Sequence, residues 1–197
     1  MAASKLEYEI ASTWNGGVLH DLTKRARISL RADESGSCLL LEVNAFFYND
    51  PAPPSVQAGQ PCPALWEYEV VEAFFLGSSE QYLEIELCPH GQHLVLLLRG
   101  VRQCFKNELP LEFTSEITDS RWCGVAKIPL NYFPPDVSKF SAYAIHGSEP
   151  DRQYESLYPV PQHAFKQPDF HRLEYFQEID ICSLFSSWPT VNVFGQE

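Results

Sequence analysis

Two neighbouring segments of the chain carry glutamates at alternate positions, so each set shares one face if the segments are β-strands. Alternation places Glu72 on one face of the first segment and both Glu84 and Glu86 on one face of the second. If the connecting turn pairs Leu76 with Tyr82, Glu72 lies directly opposite Glu86. Because facing carboxylates repel each other, we expect exposure to solvent, a bridging cation, or a proton held by a raised pKa.

Arg99 and Lys127 are the predicted counter-charges for this acidic face. A four-residue turn before the next strand would put Arg99 opposite Tyr82 and diagonal to Glu84. A solvated face or an internal ion network explains the carboxylates without any ligand. The functional alternative is a polar concave surface whose acceptor groups meet the hydroxyl groups of a ligand.

Motifs that would indicate catalysis are incomplete. His90 and His93 form an H-x-x-H pattern, but they flank a predicted turn and no third ligand stands at a diagnostic spacing. No Gly-x-Ser-x-Gly nucleophile motif and no glycine-rich phosphate loop occurs. Glycoside hydrolysis uses paired carboxylates, but carboxylates are weak evidence in a chain with 26 acidic residues. We predict no catalytic residue and no metal ligand, and keep a carboxylate- or metal-dependent hydrolase as an alternative.

The charge balance excludes several classes of partner. The 197 residues include 26 acidic and 14 basic side chains, for a formal net charge of −12. Binding to nucleic acid or to an anionic membrane needs the opposite sign, so we predict neither partner. No secretory signal and no long apolar run is visible, which predicts a cytoplasmic protein whose six cysteines are free thiols.

Hydrophobic alternation predicts an all-β protein. Residues 69–76, 81–88 and 93–98 form a predicted meander of three strands, joined by segments with good turn chemistry. About ten short strands in total, without helical periodicity, favour an antiparallel two-sheet β-sandwich of the jelly-roll or immunoglobulin-like kind. A closed barrel is the competing architecture.

The chain is predicted to form one domain over residues 1–197. Five prolines make residues 49–63 a long surface loop, since proline cannot donate to a sheet. Residues 184–197 are predicted to be a loosely ordered tail.

Several segments together resemble the family 9 carbohydrate-binding-module superfamily, which is DOMON-like. They are LWEYEVVEAFF at 65–75, YLEIELCPHG at 82–91, KIPL at 127–130 and PDFHRL at 168–173. The resemblance implies a β-sandwich that binds saccharides, or haem in other branches. The only methionine is Met1, so an internal methionine ligand for haem is missing and we predict no cofactor.

A closer resemblance is to a vertebrate family, the chromosome-4 open-reading-frame-33 family. It covers most of residues 14–176 and includes YPVPQH at 158–163. This resemblance implies no activity. It places the loop from His146 to His163 near the same end or face of the sandwich as the glutamates.

These observations predict a non-catalytic binding module for a saccharide or another small polar ligand. Arg152 would supply a planar fork of donors, and aromatic side chains would supply stacking faces. The predicted ligand-binding residues are Trp66, Glu72, Glu84, Glu86, His146, Arg152, Tyr158 and His171. A protein–protein interaction domain without a small-molecule site is the first alternative.

Overall fold

β-Strands form most of the regular structure in a computed structural model that describes residues 4–189 and 191–195. The strands of these residues are β1 (Lys5–Ile10), β2 (Ser12–Thr13), β3 (Ala26–Ala32), β4 (Cys38–Phe46), β5 (Val70–Leu76), β6 (Gln81–Leu87), β7 (His93–Arg99), β8 (Cys104–Lys106), β9 (Glu112–Thr118), β10 (Arg121–Pro129), β11 (Lys139–His146), β12 (Gln153–Ser156) and β13 (Gln177–Glu178). Only short 3-10 turns interrupt the loops between them, as expected for a sequence without helical periodicity.

The strands form two antiparallel sheets. Sheet A has the order β1-β3-β4-β10-β9, and sheet B has the order β2-β12-β11-β5-β6-β7-β8, with β13 pairing with β11. The predicted meander is therefore the β5-β6-β7 portion of sheet B. The prediction of an all-β, antiparallel two-sheet sandwich is confirmed, and the closed barrel is not formed.

The inner faces of the two sheets meet in the main hydrophobic core. Leu83, Ile85 and Leu87 of β6 are fully buried there, and Ile28 and Leu30 of β3 approach from sheet A. Since side chains alternate along a strand, burying these residues of β6 turns the intervening ones, including its two glutamates, to the outer face of sheet B.

Irregular segments, rather than solvent, cover the outer face of sheet B. A second hydrophobic cluster joins Phe74 and Tyr143 on the strands to Cys62 in the proline-rich segment and to Phe170 and Phe176 in a later one. The rings of Tyr143 and Phe170 stack with centroids 4.0 Å apart. The alternative of a solvated acidic face is therefore wrong, because loops without hydrophobic periodicity bury that face.

The C-terminal segment packs against the sandwich, where the sequence predicted a loosely ordered tail. Val193 and Phe194 are 8% and 4% exposed and belong to the main core. Residues 190, 196 and 197 of the predicted tail lie outside the described residues. The organisation of the chain as one domain stays a prediction.

Across residues 4–189 and 191–195, no helix is both long enough and apolar enough to cross a membrane.

All six cysteines are free thiols in the structure, and Cys62 and Cys88 are buried. We expect thiol titration of denatured protein, purified without oxidant, to recover all six thiols. Recovery of two or fewer would contradict the assignment of the chain to a reducing environment.

Candidate functional site

The register of β5 and β6 brings the three glutamates together. Glu72 pairs with Glu86, Phe74 with Glu84, and Leu76 with Tyr82, which confirms the predicted register. The glutamates are only 2%, 3% and 0% exposed for Glu72, Glu84 and Glu86. Exposure to solvent therefore does not relieve their repulsion. We call these three residues the carboxyl floor.

The protein supplies few hydrogen bonds to the carboxyl floor. Oε2 of Glu84 and both carboxyl oxygens of Glu86 are buried and have no hydrogen-bond partner among residues 4–189 and 191–195. A buried polar group without a partner costs about 1–3 kcal/mol, and an ionised one costs more. A ligand or a proton is therefore needed to stabilise these side chains.

The prediction of Arg99 as a counter-charge is wrong by one residue. The main-chain N–H of Cys88 donates to the carbonyl of Gln92 at 3.0 Å, so three residues rather than four connect the strands. The last of the three, Gly91, has a φ of +94°, as glycine permits. Tyr82 consequently pairs with Leu98, and Arg99 reaches the carbonyl of Phe194 instead.

The prediction of Lys127 as a counter-charge is also wrong. Lys127 lies on β10 of sheet A, where its Nζ is 2.5 Å from the carboxylate of Glu112. No sequence-predicted cation therefore bridges the carboxyl floor.

Protonation of the carboxyl groups is the remaining way to relieve the repulsion among the three glutamates. Burial raises the pKa of Glu72 to about 8, against the opposing effect of the Arg152 charge. Burial, followed by the charge of Glu72, raises the pKa values of Glu84 and Glu86 well above their ordinary value. We therefore assign neutral, protonated carboxyl groups to Glu84 and Glu86 near neutral pH.

A cavity of about 320 Å³ lies over the carboxyl floor. Its lining combines polar groups with aromatic and aliphatic walls. The lining residues are Trp66, Glu72, Glu84, Leu96, Leu98, Arg102, Cys104, Ile145, Tyr154, Pro168, Asp169, Phe170 and His171. Glu86 adjoins the two lining glutamates on the sheet but does not itself line the cavity.

A hydrogen-bonded group of four residues, which we call the latch, fixes the wall to the floor strand. Asp169 Oδ1 accepts from Arg102 Nη2 at 2.7 Å and from the main-chain N–H of His171 at 3.1 Å. Tyr82 Oη accepts from the main-chain N–H of Arg102 at 2.9 Å and lies 2.7 Å from His171 Nδ1. These contacts connect β6, the turn after β7 and the wall segment around residue 170.

The imidazole and the phenol of the latch are both neutral at pH 7. Burial lowers the pKa of His171 to about 4, so the ring is neutral at pH 7. Burial raises the pKa of Tyr82, which keeps its hydroxyl protonated. Tyr82 Oη and His171 Nδ1 share one hydrogen bond, in which either the hydroxyl group or the ring can be the donor. The other ring nitrogen of His171, Nε2, has no part in the latch.

Arg152 organises the rim of the cavity. Its guanidinium donates to the main-chain carbonyls of Trp66 and Glu67, the latter at 2.9 Å. The same guanidinium lies 5.8 Å from the ring centroid of Tyr154. Trp66 is 44% exposed, so its indole is available to a ligand.

His146 and Tyr158, two predicted ligand-binding residues, do not line the cavity. Ile145 faces the cavity from β11, so alternation turns the neighbouring His146 to the opposite side of the strand. There His146 Nε2 lies 3.1 Å from Glu155 Oε1, and the imidazole stacks on Tyr48. The other predicted residues line the cavity or adjoin it, and their role in binding stays a prediction.

Sequence reasoning missed several lining residues. Asp169 and Phe170 lie inside the PDFHRL motif, from which only His171 was selected. Arg102 follows the end of β7 and gave no signal, because its contact with Asp169 spans 67 residues of sequence.

The H-x-x-H pair does not form a metal site. His93 is buried on β7 with neither ring nitrogen bonded, whereas His90 Nε2 lies 3.1 Å from the carbonyl of Asp50. Within the described part of the chain, no group of three or more histidine, cysteine or acidic side chains is arranged to hold a metal ion.

Glu72→Gln tests whether the carboxyl floor is protonated. Because the pKa of Glu72 is raised from 4.5 to about 8, the folded protein keeps a proton that the unfolded chain releases. This contribution to stability is fully present below about pH 4.5 and is lost as the pH rises through about 8. Near pH 4.5 the free energy of unfolding of the variant should equal that of wild type. At pH 8.5 it should be higher than that of wild type by at least about 1 kcal/mol.

Urea unfolding across this pH range measures the effect. Glu116→Gln changes an exposed glutamate on β9 and is the matched control, with no comparable pH dependence expected. A Glu72→Gln variant less stable than wild type at pH 8.5 would indicate a charged, cation-paired glutamate instead.

A comparison with solved structures supports the fold. The chain resembles the crystal structure of "a putative carbohydrate-binding protein" from Bacteroides uniformis, with a TM-score of 0.58 and 15% sequence identity. The match covers 89% of this chain and 85% of the other. At this identity the likeness is one of fold.

Curated relatives match along nearly the whole chain, whereas no family model matches it. The UPF0462 protein C4orf33 of Homo sapiens is 47% identical over 183 residues, which cover 91% of this chain and 90% of the relative. Homologues from Danio rerio and Mus musculus are 48% and 49% identical, each over 91% of this chain and over 91% and 93% of their own lengths. The chain therefore belongs to the UPF0462 protein C4orf33 family, as its sequence motifs predicted.

Proposed function

We propose that this protein is a non-catalytic binding module for a small, hydroxyl-rich ligand such as a saccharide. The observation that carries the proposal is the unpartnered Glu84 Oε2, which is buried in a glutamate that lines the cavity. A ligand hydroxyl group can donate to this oxygen and remove the cost of leaving it unpaired.

The walls of the cavity suit a ligand with both polar and apolar faces. Trp66 and Tyr154 present aromatic surface to the cavity, and His171 contributes a neutral imidazole to its lining. A protonated carboxyl group both donates and accepts, as a sugar hydroxyl does, so Glu72 and Glu84 can match hydroxyl groups in either role. The volume of about 320 Å³ lies at the lower end of the range for small-molecule sites.

The electrostatics of the carboxyl floor favour binding over hydrolysis. Glycoside hydrolysis requires one protonated carboxyl group and one ionised carboxylate, held apart by different environments. Burial raises the pKa of all three floor glutamates, so all three favour the protonated form at pH 7 and none is poised as an ionised nucleophile in the free protein.

Two further observations support the proposal. The structural neighbour from Bacteroides uniformis carries a carbohydrate-binding title and shares the sandwich fold, although fold alone does not transfer a ligand. The six free cysteines support an intracellular location for the module.

Glycan binding with wild type and Trp66→Ala tests the proposal. Wild type should bind at least one class of glycan on an array, and Trp66→Ala should weaken that binding about tenfold, or about 1.4 kcal/mol, by removing a stacking face. Because Trp66 is 44% exposed, its truncation should leave the thermal unfolding temperature unchanged.

Leu22→Ala is the control, since it shortens a residue that is 61% exposed and does not line the cavity. If wild type binds no glycan, the proposal fails and the protein–protein interaction domain becomes the better account. If Trp66→Ala binds as wild type does, the ligand occupies another surface.

A further inference from the structure

No cationic side chain of the described residues is bonded to the carboxyl floor. Three buried glutamates share one face of two strands, and three of their six carboxyl oxygens have no hydrogen-bond partner. Glu84 lines the cavity and is 3% exposed, so its unpaired oxygen is a buried acceptor at the base of that space.

The nearby arginines are already engaged by other groups. Arg102 is paired with Asp169 at 2.7 Å, and Arg172 lies 3.2 Å from the other oxygen of the same carboxylate. Arg152 donates to the main-chain carbonyls of Trp66 and Glu67. The guanidinium groups of Arg102 and Arg152 thus form hydrogen bonds with the wall and the rim, and no described hydrogen bond joins either of them to the floor.

We infer that the ligand of this cavity carries a primary ammonium group beside its hydroxyl groups, as an amino sugar does. This inference rests on the proposed function and specifies the ligand class for the same cavity. An ammonium group has three donors and one positive charge, which fit a cluster of carboxyl groups without a cation of its own. Charge-assisted hydrogen bonds are about twice as strong as neutral ones, so the charge adds to what hydroxyl groups alone supply.

The walls and the floor both favour an ammonium over other cations. Trp66, Tyr154 and Phe170 line the cavity with aromatic rings, whose faces attract a cation. A metal ion needs several oxygens that converge at about 2.0–2.6 Å, and the described residues contain no such group. The ammonium nitrogen of such a ligand forms hydrogen bonds of about 2.7–2.9 Å to carboxyl oxygens, and its three N–H groups can donate to separate carboxyl groups.

The positive charge of Arg152 helps Glu72 to release its proton when the ammonium group of the ligand binds. It lowers the pKa of Glu72 relative to burial alone, so Glu72 is the floor glutamate most ready to ionise. The bound ammonium would then neutralise that carboxylate.

Matched pairs of monosaccharides test the inference by isothermal titration calorimetry at pH 7. The probes are glucosamine with glucose, and galactosamine with galactose, plus the N-acetylated form of each amine, which keeps the nitrogen but removes the charge. We expect at least one amine to bind ten times or more tighter than its neutral partner and its N-acetylated form.

Glu72→Gln removes the carboxylate that the bound ammonium would neutralise. It should abolish the preference for the amine, so that the amine and its neutral partner bind the variant with affinities within twofold of each other. Glu116→Gln, on β9 of sheet A, is the control and should change neither affinity. Raising the salt concentration on wild type should weaken the amine more than the neutral sugar, a readout that needs no variant.

The possible outcomes separate this inference from the proposed function. Neutral sugars that bind as tightly as the amines, or tighter, would overturn the inference and leave the saccharide proposal standing. An amine preference that survives Glu72→Gln with wild-type magnitude and without salt dependence would also overturn it. Failure of every sugar, charged or neutral, to bind would overturn both.

Discussion

Burial of three carboxyl groups on one face of a sheet is the constraint on which the rest of this structure depends. Strand β6 places Leu83, Ile85 and Leu87 in the core between the sheets, and the pleat then turns its two glutamates to the other face. That face is covered rather than wet, so the glutamates lose their hydration without gaining a bonded cation from the described residues. The free energy is lowered by keeping the proton, which explains the raised pKa values.

The cover over this face turns a buried acidic cluster into a cavity. The floor comes from paired strands, whose ladders hold the glutamates at fixed spacing, whereas the walls come from irregular segments. The latch of Tyr82, Arg102, Asp169 and His171 fixes one wall segment to the floor strand. A rigid floor with loop-built walls is a common way to position a binding site.

The sequence predicts the local part of this arrangement better than the long-range part. Alternation and a short turn were sufficient for the pairing of Glu72 with Glu86 and for the sandwich class, because both follow from nearest-neighbour patterns. The prediction for Arg99 failed because one residue fewer in the turn after β6 shifts the register. His146 does not line the cavity, because its neighbour Ile145 occupies the cavity face of β11.

The remaining differences come from contacts that no local pattern encodes. The Arg102–Asp169 pair links a turn to a segment 67 residues later, and the covering loops show no hydrophobic period. Covering segments of this kind decide whether a polar strand face is solvated or buried. The sequence alone therefore predicts the glutamates of the carboxyl floor, whereas their burial and the cavity above them depend on tertiary packing.

A ¹³C-detected NMR titration of the glutamate side-chain carboxyl carbons tests the central claim most directly. Selective substitution assigns the signals of Glu84 and Glu86, and the exposed glutamates of sheet A serve as internal references. The account predicts that both residues titrate well above the ordinary glutamate value of about 4.3. Titration of both in step with the exposed glutamates would mean that the floor is charged or solvated, and would contradict the account.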